Sequence, residues 1–164
     1  MTDLELIRNS GLFDGLDDVE LGKIAEGCLE REYSMGTAII EENEPPKELL
    51  FFIKDGEIMV STAPMDGCGE SEECPTLLST FGPGEAFGEV SIVDNHPHSA
   101  TVRALSDVKV LELPARHFHE LAEKNHKIGY VVMKNIAALI CQRLRSSNFA
   151  VKHFGLWGKI DEPK

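Results

Sequence analysis

The sequence has few cysteines, fewer basic than acidic side chains and no long apolar run. Four cysteines in 164 residues, Cys28, Cys68, Cys74 and Cys141, are too few and too scattered for a disulfide framework. Reduced thiols are expected. No stretch approaches the roughly 20 apolar residues that span a bilayer, and the opening Met-Thr-Asp-Leu-Glu-Leu has neither the basic region nor the apolar region of a signal peptide. A cytoplasmic address is expected, with no membrane partner. Sixteen Lys and Arg against 28 Asp and Glu leave a net charge of -12. That balance argues against nucleic acid as a partner of the whole chain, because backbone phosphates must be neutralised by cations.

What is present is an ordinary globular composition, 42% hydrophobic, at a length suited to one domain. Leu4 to Leu29 carries helix-spaced apolar residues broken at Gly11 and Gly15, and Asp17 is placed to cap the second piece, so two short helices are expected. After Gly36 the runs become short: Ile39-Ile40, Leu49 to Ile53, Ile58 to Val60, Leu77-Leu78, Thr101 to Leu105 and Val108 to Leu113, separated by turn residues. About eight short strands without long helices between them predict an antiparallel β-roll of the jelly-roll kind. Residues 61–76 hold two prolines, two glycines and four acids, and read as a mobile acidic hairpin loop. From Pro114 the helical period returns, with a short helix at Phe118 and Leu121 and a long amphipathic one over 126–147. Lys134, Arg143 and Arg145 lie off the apolar stripe of the long helix.

Several chemistries find little support. No Gly-x-Ser-x-Gly, P-loop or His-Glu-x-x-His pattern occurs, so no catalytic residue and no enzyme activity are expected. His96-Pro97-His98 has a metal-binding spacing, but the next glutamate is Glu112. His117 and His119 stand two apart in a helical segment, where side chains point away from each other. No metal site is expected. Cys68 and Cys74 could pair on oxidation or hold a thiophilic metal, with free thiols the simpler reading. Cys28 and Cys141 read as fillers of a core or an interface.

The most informative stretch is Phe81 to Ala104. Gly88 stands where a strand gives way to the helical turn Glu89-Val90-Ser91-Ile92, which would leave N–H groups free for an anion, while Glu89 could accept from sugar hydroxyls. Phe87-Gly88-Glu89 followed by Pro97-His98-Ser99-Ala100-Thr101-Val102 resembles the phosphate-binding cassette of cyclic nucleotide-binding domains, the family of the catabolite activator protein and the protein kinase A regulatory subunits. The resemblance runs over roughly residues 10–145. It implies a double-stranded β-helix with short N-terminal helices and a long C-terminal helix, an α+β fold that is mainly β. It also implies a cyclic nucleotide, cAMP or cGMP, held by Gly88, Glu89, Val90, Ser91, His98, Ser99 and Ala100. Glu89 would take the ribose hydroxyl and Ser99 the phosphate. His98 stands where the family has a phosphate-pairing arginine. Losing that charge-assisted contact costs about 1.5 to 3 kcal/mol, or about 10- to 150-fold in affinity. A protonated His98 could restore part of it, with binding that strengthens toward about pH 6.

The resemblance also implies dimerisation through the helix at 126–147. Residues 1–147 form the expected domain and 148–164 a short tail, too short for the three helices of a DNA-reading domain. Phe149, Phe154, Leu156 and Trp157 could dock a protein partner or pack on the chain itself. Two functions stay open: a stand-alone cyclic nucleotide sensor that signals through its last helix, and a ligand-independent interaction module on the same fold.

Overall fold

The computed structural model of the protein describes residues 2–63, 76–94 and 96–157, with side chains through Phe149. Two short helices open the chain, α1 (Asp3–Asn9) and α2 (Asp18–Ala25), each started by a capping box. Thr2 and Glu5 exchange side chain-to-backbone bonds at the first, Asp17 and Glu20 at the second. Such reciprocal bonds satisfy N–H groups that a helix start leaves orphaned. The expected first two helices are both present.

Eight strands follow, in two four-stranded antiparallel sheets. One sheet runs β1 (Leu29–Tyr33), β8 (Val108–Pro114), β3 (Leu49–Asp55), β6 (Ala86–Phe87). The other runs β2 (Ala38–Ile40), β7 (Thr101–Ala104), β4 (Ile58–Thr62), β5 (Thr76–Phe81). This is the expected β-roll. Helix α3 (Glu89–Asp94) interrupts the strands, and α4 (Ala115–Lys124) and α5 (His126–Trp157) close the described chain.

Two strands depart from the sequence expectation. Leu29-Glu-Arg-Glu-Tyr33 forms β1, although Leu29 reads as a helix end; it is an edge strand whose first four side chains are exposed, so it shows no alternation of apolar and polar residues. The two-residue β6 is too short to carry any period. The acidic hairpin is framed as expected, with Thr62 opposite Thr76, while its tip with Cys68 and Cys74 lies outside the described residues. Helix α5 does not end at 147; it continues to Trp157 and takes in most of the expected tail. Cys28 packs partly buried against the helical core, and burial pushes its thiol up to about 12, while Cys141 is exposed on α5.

Sheet β1-β8-β3-β6 carries a core on each face. Leu50, Phe52, Leu111 and Leu113 point to the helices, where they meet Leu6, Phe13, Phe118, Ile128 and Val132. Phe51, Ile53, Val108 and Val110 point into the roll, against Ile39, Ile58 and Val102 of the other sheet. One acid shares the roll face: Glu112, opposite Phe51, is 7% exposed and accepts from the Tyr33 hydroxyl at 2.6 Å. Burial and that carboxylate raise the Tyr33 phenol far above its ordinary pKa.

The corner between α4 and α5 is fixed to α2. Glu20 receives Lys127 Nζ at 2.7 Å and Asn125 Nδ2 at 3.2 Å, and these contacts together with its capping bond hold its carboxyl below the ordinary range. Asn135 Nδ2 donates to the carbonyls of Leu12 and Asp14, both at 3.0 Å. The first three turns of α5 are thereby tied to the N-terminal helices.

Replacing Tyr33 with Phe removes the donor to a buried carboxylate and should destabilise the domain by about 1 to 3 kcal/mol. Thermal unfolding should show a midpoint lower by several degrees, with unfolding unchanged in cooperativity. A midpoint equal to that of the parent would show that Glu112 does not depend on this bond.

Candidate cyclic nucleotide cassette

The cassette begins at the end of β6. Phe87 stacks on Phe51 with ring centroids 4.6 Å apart and planes 1° from parallel, which places the following residue against the backbone of β3. That residue is Gly88, at φ +83. A Cβ there would stand 2.6 Å from the Leu49 carbonyl oxygen and 3.0 Å from the Phe51 ring, so both the conformation and the space require glycine.

The turn at Gly88 feeds α3, and Glu89 is its first residue. The Glu89 side chain is 2% exposed. It is ion-paired with Arg143 of α5, whose second nitrogen Nη2 donates to the Ala86 carbonyl at 2.9 Å. The guanidinium also lies over the Phe81 ring, 4.8 Å from its centroid. One arginine thus fastens the last helix to β5, β6 and α3. Ser91 is buried and donates from Oγ to the Gly88 carbonyl at 2.9 Å, holding the turn closed. Val90, on the same short helix, is 43% exposed.

The second half of the cassette follows α3. His98 is bound to the loop between β2 and β3 by three hydrogen bonds. Its N–H donates to the Glu44 carbonyl at 3.0 Å, its carbonyl accepts from Asn43 N–H at 2.8 Å, and its ring Nε2 accepts from Lys47 N–H at 3.1 Å. A ring nitrogen that accepts from a backbone N–H carries no proton, so a neutral His98 is protonated at Nδ1. Burial, then the Lys47 charge, pushes the His98 pKa below its ordinary value. Protonation would cost the Lys47 bond and place two cations together. Beyond His98, no described group accepts from the N–H of Ser99 or of Ala100, while Thr101 returns to the sheet and accepts from Glu42 N–H at 3.1 Å.

The site therefore consists of a buried carboxylate at a glycine turn, two open N–H groups, and a histidine held neutral. Sequence reading names all of these but misses Arg143 and Lys47. Arg143 stands out in sequence only as one cation among three off the apolar stripe, and Lys47 only as one cation in an acidic loop. Among the described residues no three His, Cys, Asp or Glu side chains come together as a metal site, and no helix is long and apolar enough to cross a membrane.

Arg143 to Met leaves the Glu89 carboxylate buried and unpaired. Loss of stability should be about 1 to 3 kcal/mol, below that of a fully buried pair because the Arg143 side chain is 34% exposed. The double variant Glu89→Gln with Arg143→Met should be less damaged than the sum of the singles. Additive effects in a chemical-denaturation cycle would refute direct coupling.

Comparisons with known proteins bear on the family and the fold. A family model described as the cyclic nucleotide-binding domain matches residues 30–125. The chain is 32% identical over 145 residues to glutaminase 2 of Bradyrhizobium diazoefficiens, covering 88% of this chain and 21% of that protein. The crystal structure of the Thermus thermophilus catabolite activator protein superimposes with a TM-score of 0.72 at 26% identity, over 89% of this chain and 63% of that one. The regulatory domain of Toxoplasma gondii protein kinase A, solved with cAMP, does so with 0.64 at 29%, over 72% and 42%. With a family model spanning more than half of its residues and the same roll, turn and helices in its structure, the chain belongs to the cyclic nucleotide-binding domain family.

Proposed function

We propose that the chain is a regulatory module that binds a cyclic nucleotide, cAMP or cGMP, at Gly88–Ser91 and His98–Ala100 and passes the event to α5. The observation that carries this reading is the Arg143–Glu89 pair. Glu89 is the carboxylate suited to a ribose hydroxyl, and it is also the group that the last helix grips. A ligand hydroxyl at Glu89 must share or displace the guanidinium, so occupancy and helix position are linked. The residues present fit the ligand: Glu89 for the ribose, and the open N–H groups of Ser99 and Ala100 for the phosphate. The role proposed is regulatory. The chain spans only a fifth of the glutaminases it resembles, which suits a module whose output acts on a larger assembly.

One feature favours the second reading, a ligand-independent interaction module: the ring at the phosphate end, His98, is already bound to Lys47 N–H within the chain. Both readings use α5 as the output. Its Tyr130, Met133, Ala137, Ile140 and Leu144 recur at three- and four-residue spacing, with Tyr130 at 71% and Leu144 at 59% exposure. That is the spacing of a coiled-coil seam, and we assign it to a homodimer contact.

Titration calorimetry with cAMP and with cGMP separates the two readings. A ligand present at about 100 times its dissociation constant adds about 2.7 kcal/mol to stability, so thermal shift gives a second readout. The sensor reading expects binding, weakened about tenfold or more by Glu89→Gln; no heat and no shift with either nucleotide at millimolar concentration rejects it. For the dimer, light scattering at micromolar concentration should report twice the 18.1 kDa of one chain. A single-chain mass removes the assignment of the seam.

A further inference from the structure

Where its family places an arginine this chain has His98, and the ring is not free to take over that work. Its Nε2 is occupied by Lys47 N–H, and its backbone is bound on both sides to residues 43 and 44. The loop between β2 and β3 is therefore closed over the exit of the cassette, with a fourth bond from Glu42 N–H to Thr101 Oγ1. The same loop carries a cation. Lys47 Nζ donates to the carbonyl of Ile39, a residue with no exposure to solvent. It forms no ion pair with any described carboxylate, although Glu41, Glu42, Glu44 and Glu48 share its loop. This ammonium is also close enough to His98 to depress its titration. The adjacent residues, Ser99 and Ala100, present the open N–H groups.

These placements rest on the ligand reading above, and with it the geometry points to Lys47 as the residue that supplies positive charge to the ligand's cyclic phosphodiester. His98 acts as a neutral positioning residue: its imidazole holds the Lys47 backbone, and so the lysine, at the phosphate end of the cassette. The charge that the family carries on the cassette strand is in this chain moved to the opposing loop. An ammonium binds phosphate as a point charge and not through a bidentate fork, so binding should be strongly dependent on salt and tolerant of arginine at position 47.

The test is calorimetric titration of the full chain with cAMP and cGMP at low and high salt, comparing Lys47→Met, Lys47→Arg and His98→Ala. Lys47→Met should weaken binding about tenfold or more and flatten its salt dependence, while Lys47→Arg should retain affinity within about threefold. His98→Ala should weaken binding by loosening the loop yet keep the salt dependence, a split that a loss of charge does not produce. A readout free of ligand is the NMR titration of His98, whose midpoint should rise in Lys47→Met as the neighbouring charge is removed. Parent-like affinity and salt dependence in Lys47→Met overturn the assignment to Lys47 while leaving the ligand reading intact. An unchanged His98 midpoint overturns the placement of the ammonium, and a parent chain that binds neither nucleotide overturns the ligand reading and this assignment together.

Discussion

Strands β3 and β8 are buried on both faces, and the rest of the domain is arranged on one side or the other of that pair. Alternate residues of Leu49–Asp55 and Val108–Pro114 supply the roll interior and the bed for the helices. Two cores thus share one sheet, and neither can shift without moving strands that the other needs. The cassette is built at the edge of this arrangement, where Phe87 stacks on Phe51 and Gly88 lies against the Leu49 carbonyl. The position of Glu89 is therefore set by a strand, β3, that is buried on both faces. The helix that touches Glu89 is packed on the other face of the same sheet.

Charge in the site follows from that packing. A carboxylate at 2% exposure must have a partner, and Arg143 provides it from an element more than fifty residues away in sequence. The anion-facing end is built differently. There the chain presents the open N–H groups of Ser99 and Ala100, with the imidazole of His98 bound to Lys47 N–H on the opposing loop. An overall charge of -12 repels any anion at long range, so that attraction for one has to come from local groups.

Much of this was legible in the sequence, for identifiable reasons. The roll could be read because β3 is a continuous apolar run over Leu49–Ile53, β8 is apolar but for Lys109 and Glu112, and the turns carry Gly, Pro and Asn. Both N-terminal helices could be read because caps are local. Gly88, Glu89 and the Pro97–Val102 segment could be read because their spacing is fixed by the turn they make. What escaped depends on the third dimension. Strand β1 is Leu-Glu-Arg-Glu-Tyr, an edge with no buried face of its own for most of its length. Arg143 and Lys47 gain their meaning from partners 54 residues away in the first case and 51 in the second. The hydrogen bond from Lys47 N–H to the His98 Nε2 depends on the fold in the same way.

The corner at Asn125, bound to Glu20, and the clamp at Asn135 hold the first turns of α5, so that its free arm begins beyond Asn135. At 1.5 Å of rise per residue, Arg143 stands about 12 Å along the helix from Asn135, and Trp157 about 33 Å. A rotation of that arm by about 10° carries the guanidinium by about 2 Å, which is enough to break its bond to Glu89, and carries the far end by about 6 Å. The length of the helix thus multiplies the tolerance of a single hydrogen bond into a displacement of several ångströms at its far end.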